Sequence, residues 1–215
     1  MKSLEHKAEK YDKGIKLITL GKLPKIKQFI VDNYLNEGEK ILDIGMGTGT
    51  FAILAAQKGV RVTGIDISEK MLEVAKNKIT QENLSEQIEI IKMHVIDMDE
   101  KFKNKSFDKV VATLSFSEFY QKEQEFCLTQ INRVLKNNGE FVILDEVKPK
   151  NIWKKILYFF VRIPLAFINF LKAHVSTSSL KNFDEKLEAH NFLILEEHLY
   201  LLDTLKLVRA KKTEN

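Results

Sequence analysis

Between Lys40 and Ser68 the chain reads KILDIGMGTGTFAILAAQKGVRVTGIDIS, and few folds accommodate such a run. A short β-like stretch ends in an acid, Asp43, followed by three glycines on alternate positions, Gly45, Gly47 and Gly49. A helical stretch comes next, then a second β-like stretch ending in another acid, Asp66. A tight strand-to-helix turn needs one glycine or two. Three in alternation, with an acid closing the next strand, are hard to explain by packing. They let the backbone approach a ligand, whose polar or negative groups can meet the free N–H groups of the following helix. The pattern predicts a nucleoside-type cofactor. A dinucleotide fingerprint would read G-x-G-x-x-G, but Thr50 stands where its third glycine would fall.

The rest of the chain continues the alternation. Residues 1–36 read as mostly helical, with Ile26, Phe29, Ile30 and Tyr34 at helical spacing. Strands are predicted at Lys40–Ile44, Arg61–Asp66, Ile88–Met93, Phe107–Thr113 and Glu140–Val147. Helices are predicted at Phe51–Gln57, Glu69–Ile79 with Ser68 as N-cap, and Phe126–Leu135, the last stopping at Asn137-Asn138-Gly139. Such β-α-β order makes a parallel sheet covered on both faces. The end differs. After a helix at Leu180–His190, Leu193–Tyr200 and Thr204–Arg209 lie too close together for a helical crossover, so they form an antiparallel pair at one sheet edge. The prediction is an α/β, Rossmann-like, seven-stranded sheet, mostly parallel with a C-terminal antiparallel hairpin, in a single domain over 1–215.

Asn151–Val175, NIWKKILYFFVRIPLAFINFLKAHV, is apolar and approaches membrane-spanning length. Lys154, Lys155 and Arg162 interrupt it and Pro164 would kink a helix, whereas a span wants about 20 mostly uncharged residues. It reads instead as a hydrophobic lid over an apolar pocket, a partner surface, or simply more core. A net charge of +4 is too small for the basic stripe of a nucleic-acid binder. The one cysteine, Cys127, excludes an internal disulfide and a Cys-rich metal site. With no apolar run in MKSLEHKAEKYDKG, a cytoplasmic protein is predicted, with no metal.

Asp43-Ile44-Gly45-Met46-Gly47-Thr48-Gly49 and Gly64-Ile65-Asp66-Ile67-Ser68, with the terminal hairpin, resemble class I S-adenosylmethionine (SAM)-dependent methyltransferases over nearly the whole chain. Met46 stands where that family often has cysteine or another small residue. The resemblance implies SAM as cofactor and assigns roles. Asp66 would accept hydrogen bonds from both ribose hydroxyls, and Ile67 would pack on adenine. Gly45, Gly47 and Gly49 would form the loop under the methionine part, with Asp43 holding it and Thr113 completing the site. After strand three, the Ile96 backbone and Asp97 would read adenine; alternatively Asp97 caps the next turn.

Strand four ends without the Asn/Asp-Pro-Pro-Tyr motif of enzymes that methylate nucleic-acid amines or protein glutamine. Strand five ends LDEVKPK, which is similar to the LEFSKP-like ending of ubiquinone and menaquinone biosynthesis C-methyltransferases. EKYDKGIKLITLG resembles their entrance helix, in which Tyr11 would close over the cofactor; otherwise Tyr11 is a surface aromatic. Tyr11-Asp12, Thr19-Leu20-Gly21, Phe116-Ser117-Glu118 and Asp145-Glu146-Val147 look more closely like corrinoid protein-associated methyltransferases. The implied reaction is methyl transfer to a small, apolar or ring-bearing acceptor. The alternatives are a corrinoid protein or its cofactor as acceptor, and a SAM-binding partner protein without turnover. Candidate bases are Glu118 and Glu146, with Asp145, His94 and His174 also considered; none shows diagnostic spacing. Phe116, Asp145, Phe159, Phe160 and His174 are candidate substrate residues. Lys148, Lys150, Lys154 and Lys155 suggest that 148–175 meets an anionic lipid surface, an acidic partner or a corrinoid protein.

Overall fold

A computed structural model describes residues 8–149, 180 and 182–213. The predicted lid at 151–175, with Phe159, Phe160 and His174, lies outside them. Two helices open the described chain, α1 (Ala8–Ile18) and α2 (Lys22–Tyr34). Then follow β1 (Lys40–Ile44), α3 (Thr50–Gln57), β2 (Arg61–Asp66), α4 (Glu69–Gln81) and β3 (Ile88–Lys92). After a 3-10 turn at Val95–Asp97 come α5 (Met98–Lys101), β4 (Phe107–Thr113), a second 3-10 turn at Phe116–Glu118, α6 (Gln121–Val134) and β5 (Leu135–Glu146). The described chain closes with α7 (Phe183–Ala189), β6 (Phe192–Tyr200) and β7 (Leu205–Lys212).

The seven strands form one sheet in the order β3-β2-β1-β4-β5-β7-β6. The first five are mutually parallel, and β7 runs antiparallel to both β5 and β6. Both faces are covered, which explains why the strands read as nearly unbroken apolar runs. Ile41, Val62, Val111, Val142 and Leu207 face one layer, where Leu23, Ile26 and Ile30 of α2 pack with Phe51 of α3 and Ala75 of α4. Leu42, Val110, Phe141, Ile143 and Val208 face the other, against Met98 of α5, Cys127, Leu128 and Ile131 of α6, and Leu187 of α7. The strand order reverses between β1 and β4. That crevice, outside the carboxyl ends, is where an open α/β sheet binds its ligand.

Three boundaries depart from expectation. Helix α6 begins at Gln121, because Glu123 reaches back and its Oε2 accepts a hydrogen bond from the Tyr120 N–H at 2.8 Å. That first turn, Gln121-Lys122-Glu123-Gln124, is polar, so it carries no apolar periodicity. The Asn137-Asn138-Gly139 turn lies inside β5. Phe107 pairs with Leu135 and Lys109 with Glu140, so 136–139 swing out as a bulge, with Asn138 at φ 61°. The helix stops at Val134 because buried Leu135 is already extended and paired. Helix α7 begins at Phe183; Leu180 makes an isolated parallel bridge to Val147.

Candidate functional site

The glycine loop leaves β1 and is tied to β2 by hydrogen bonds from the Gly45 and Met46 N–H groups to the Ile65 carbonyl, at 2.8 and 3.0 Å. Each glycine has its own reason. A Cβ at Gly45, φ 69°, would collide with Ser115, whose Oγ donates to the Ile44 carbonyl at 2.7 Å and braces the turn. Gly47, φ 54°, has open space where its side chain would be, on the cleft side. Gly49 precedes α3 and packs against Ala75 of α4. Met46 turns inward; it is buried, and its thioether lies over Gly64 of β2, where a Cβ would strike its sulfur. Gly64 is therefore a packing glycine.

Above the loop opens a cleft of about 1070 Å³, walled by α1, α2, the loop, the ends of β2 and β4, and the start of α6. Helix α1 is fastened to the loop through Asp12. Its Oδ1 accepts from the Thr48 and Thr50 hydroxyls at 2.7 and 3.2 Å, and its Oδ2 pairs with Lys78 of α4. Burial opposes the charged form of Asp12, but Lys78, Thr48 and Thr50 outweigh it and hold the carboxyl below its ordinary value.

Acids gather at this end of the sheet. Asp66 at the end of β2 accepts the Gly47 N–H on Oδ2 and the Ser68 N–H on Oδ1, each at 2.8 Å. Burial raises its pKa, and these backbone bonds pull back. Asp43, at 0% exposure, has no hydrogen-bond partner for either oxygen among the described residues. Burial pushes its pKa up to about 7 against the opposing charge of Lys27. Glu118 lies inside the cleft, open to its solvent yet ringed by protein; burial and the charges of Asp145 and Asp66 push it up to about 7. Asp145, 1% exposed, accepts the Ser117 and Glu146 N–H groups at 2.9 and 2.7 Å and is raised by burial to about 6. Tyr11 is set into the wall near them; burial, then Glu118 and Asp12, hold its hydroxyl protonated well above the ordinary value.

The cleft thus brings together Tyr11, Gly45, Gly47, Asp66, Ile67, Thr113 and Glu118 of the predicted set. Others stand apart from it. Phe116 is fully buried between Phe119, Phe141 and Phe183, so it is a core residue and not a substrate contact. Asp145 sits behind Ser117 and shapes the turn that carries Glu118. Asp43 and Gly49 lie beneath and beyond the loop, and Glu146 pairs with Leu205 on β7. Ile96 and Asp97 are exposed and do not line the cleft; the Ile96 N–H points to His94 Nδ1 at 3.3 Å, so Met93, His94 and Val95 form that wall. Sequence reasoning missed Thr48, Lys78 and Lys27. Their partners are far away in the chain, and only the pair of threonines flanking Gly49 hinted at an acceptor nearby.

These residues fit S-adenosylmethionine. A carboxylate offers about four acceptor sites. Asp66 accepts the Gly47 and Ser68 N–H groups, one on each oxygen, with the Ile67 N–H also close by, and acceptor capacity remains for the ribose hydroxyls. Gly47 offers a bare backbone, and Ile67, 43% exposed, offers an apolar face beside the ribose acid. Residues 35–193 match a family described as a methyltransferase domain. The demethylmenaquinone methyltransferase of Thermotoga maritima is 30% identical over 173 residues, 78% of this chain and 71% of the relative. The ubiquinone/menaquinone biosynthesis C-methyltransferase of Geotalea uraniireducens is 32% identical over 158 residues, 71% of this chain and 65% of the relative. The crystal structure of a SAM-dependent methyltransferase from Aquifex aeolicus superposes with a TM-score of 0.70 over 97% of this chain and 98% of that one. At 17% identity it shows a shared fold.

Proposed function

This chain belongs to the methyltransferase-domain family, with SAM as cofactor, and from that premise we propose that its cleft delivers the methyl group to a small, apolar or ring-bearing acceptor of the quinone-precursor class. The observation that carries the acceptor class is the wall facing the glycine loop. Ile15, Leu114 and Phe119 present apolar surface there, and Glu118 with Tyr11 supplies the few polar groups, the usual balance of a small-molecule site. The names of the curated relatives point the same way.

Bound in the cleft, the cofactor supplies a methyl group already activated by its sulfonium charge. The chain aligns and dehydrates the reactants. Asp66 holds the ribose, Gly45 and Gly47 bring bare backbone under the methionine part, and Tyr11 closes the α1 side. Glu118 acts as general base and takes the proton the acceptor gives up; a carboxyl near 7 is matched to that task at neutral pH. Asp145 keeps Glu118 in place through the Ser117 turn.

The reading as a corrinoid-linked enzyme rests on Tyr11-Asp12, Phe116-Ser117-Glu118 and Asp145-Glu146-Val147. Contact of 148–175 with an anionic surface rests on its lysines, and all of it past Pro149 lies outside the described residues. Among the described residues no helix is long and apolar enough to cross a membrane. The reading as a SAM-binding protein without turnover gives way to the family assignment. The deciding experiment incubates the enzyme with methyl-labelled SAM and two acceptors, a reduced naphthoquinone lacking a ring methyl and a corrinoid protein. Label on the quinol supports the proposal; label on the corrinoid alone replaces it.

A further inference from the structure

Beneath the cleft lies an unsatisfied pair of charges. Lys27 projects from α2 into the cleft wall, half-buried, one turn after Leu23 and beside Pro24. It makes no hydrogen bond or ion-pair contact among the described residues. Asp43, one residue before the loop, is fully buried and equally unpartnered. Each is the other's strongest charged neighbour, yet no contact joins them. The other cations of the region are accounted for. Lys78 is bound to Asp12, and Lys186 to Gln124 and Glu125, while Lys16 stands exposed at the rim. A half-buried ammonium facing a cleft without an acceptor is poorly solvated, and it gains from any anion the ligand brings.

Resting on the methyltransferase reading, we propose that Lys27 binds the α-carboxylate of the amino-acid tail of SAM. Asp43, behind the loop, favours the charged form of Lys27 once it is itself ionised. Lys27 is then a specificity residue: it separates cofactors that carry the full amino-acid tail from adenosine thioethers that lack the carboxylate. The placement agrees with the chain's path. The loop that runs under the tail starts at Asp43, and Leu23, Ile26 and Ile30 of α2 share a buried cluster with Ile41 of β1, while Lys27 lines the cleft beside Gly45 and Met46.

The test uses calorimetry with three ligands: S-adenosylhomocysteine, its decarboxylated analogue, and 5′-methylthioadenosine. Wild-type protein is expected to bind S-adenosylhomocysteine about 10- to 100-fold more tightly than the decarboxylated analogue, the range of a hydrogen bond between charged groups. Lys27→Met is expected to erase that preference while leaving 5′-methylthioadenosine within about twofold of wild type, and Lys27→Arg to restore part of it. Equal binding of the first two ligands by wild-type protein overturns the proposal without any variant. So does a Lys27→Met protein that loses all three ligands alike. If folded wild-type protein binds none of the three, the methyltransferase reading falls as well, an outcome distinct from a lost preference.

Discussion

At the scale of single residues, Asp66 was the most legible feature of the site and Lys27 the least. An acid at the end of the second strand announces itself because the strand and the glycine loop fix its position by local sequence alone. Asp12 and Lys78 sit 66 positions apart, and nothing local in either one predicts the other. Asp66→Ala is expected to weaken S-adenosylhomocysteine by about 100-fold or more, since two hydrogen bonds to a charged group are lost and each is worth about 1.5–3 kcal/mol; calorimetry checks it. Glu118 must be ionised to accept a proton, so activity should rise with pH through about 7. Glu118→Gln should remove that limb and lower kcat by about 10²- to 10⁴-fold in a pH-rate series. Asp43 works in the opposite direction on folding. Its folded pKa is raised from 3.8 to about 7, so the native state holds a proton that the unfolded chain has released. The contribution of Asp43 to the stability of the ligand-free protein should therefore be fully present below about pH 4, fall towards pH 7 and then level off; the stability difference between wild type and Asp43→Asn, read from urea titrations across that range, should carry that slope.

At the scale of elements, the βα units from β1 to β3 matched the sequence within a residue or two, because strand, loop and helix each carried a local signal. Ser68 caps α4 as expected, accepting the Met71 N–H at 3.4 Å. The failures came where a polar stretch was ordered by its neighbours. The first turn of α6 was hidden by charged residues, and Asn137-Asn138-Gly139 gave a true turn signal that the sheet absorbed as a bulge. Helix α1 shows the same dependence. Its hold on the loop is the Asp12 cluster, and both partners of the ion pair are partly exposed, at 38% and 31%. Such a pair contributes under about 1 kcal/mol to folding. The combined Asp12→Asn and Lys78→Met change should thus barely move the melting temperature. It should speed S-adenosylhomocysteine release in stopped-flow by about fivefold or less, the equivalent of that energy. Unchanged release would mean that α1 does not gate the cofactor.

Across the whole molecule, the two ends of the sheet divide the work. The carboxyl ends hold the cleft. Near the opposite ends, Arg209 of β7 binds Glu140 of β5 at 2.8 Å and Glu196 of β6 at 2.9 Å, and stacks over Tyr34 of α2 with 5.0 Å to the ring centre. Lys109 of β4 joins Glu39 at 2.6 Å and Glu140 at 3.8 Å. Arg209→Leu should lower stability by about 1.5–3 kcal/mol, from the charged hydrogen bonds lost, and leave cofactor affinity unchanged, as paired melting and calorimetric measurements would show. The sequence made the fold class and the late hairpin readable. The insertion of β7 between β5 and β6 was not read from it, since hairpin length does not say which strand docks first. The alternating exposure of β6 against the mostly buried β7 shows the physical preference that decides it.

Met46 and Gly64 give the loop a history as well as a shape. One side chain fills the volume that the other position leaves empty, so neither can drift alone. A lineage that gains a methyl group at 64 must first shorten 46, and one that shortens 46 while keeping glycine carries a void until 64 responds. The two positions are therefore expected to vary together, a small residue after the first glycine making room for something bulkier in the middle of the second strand.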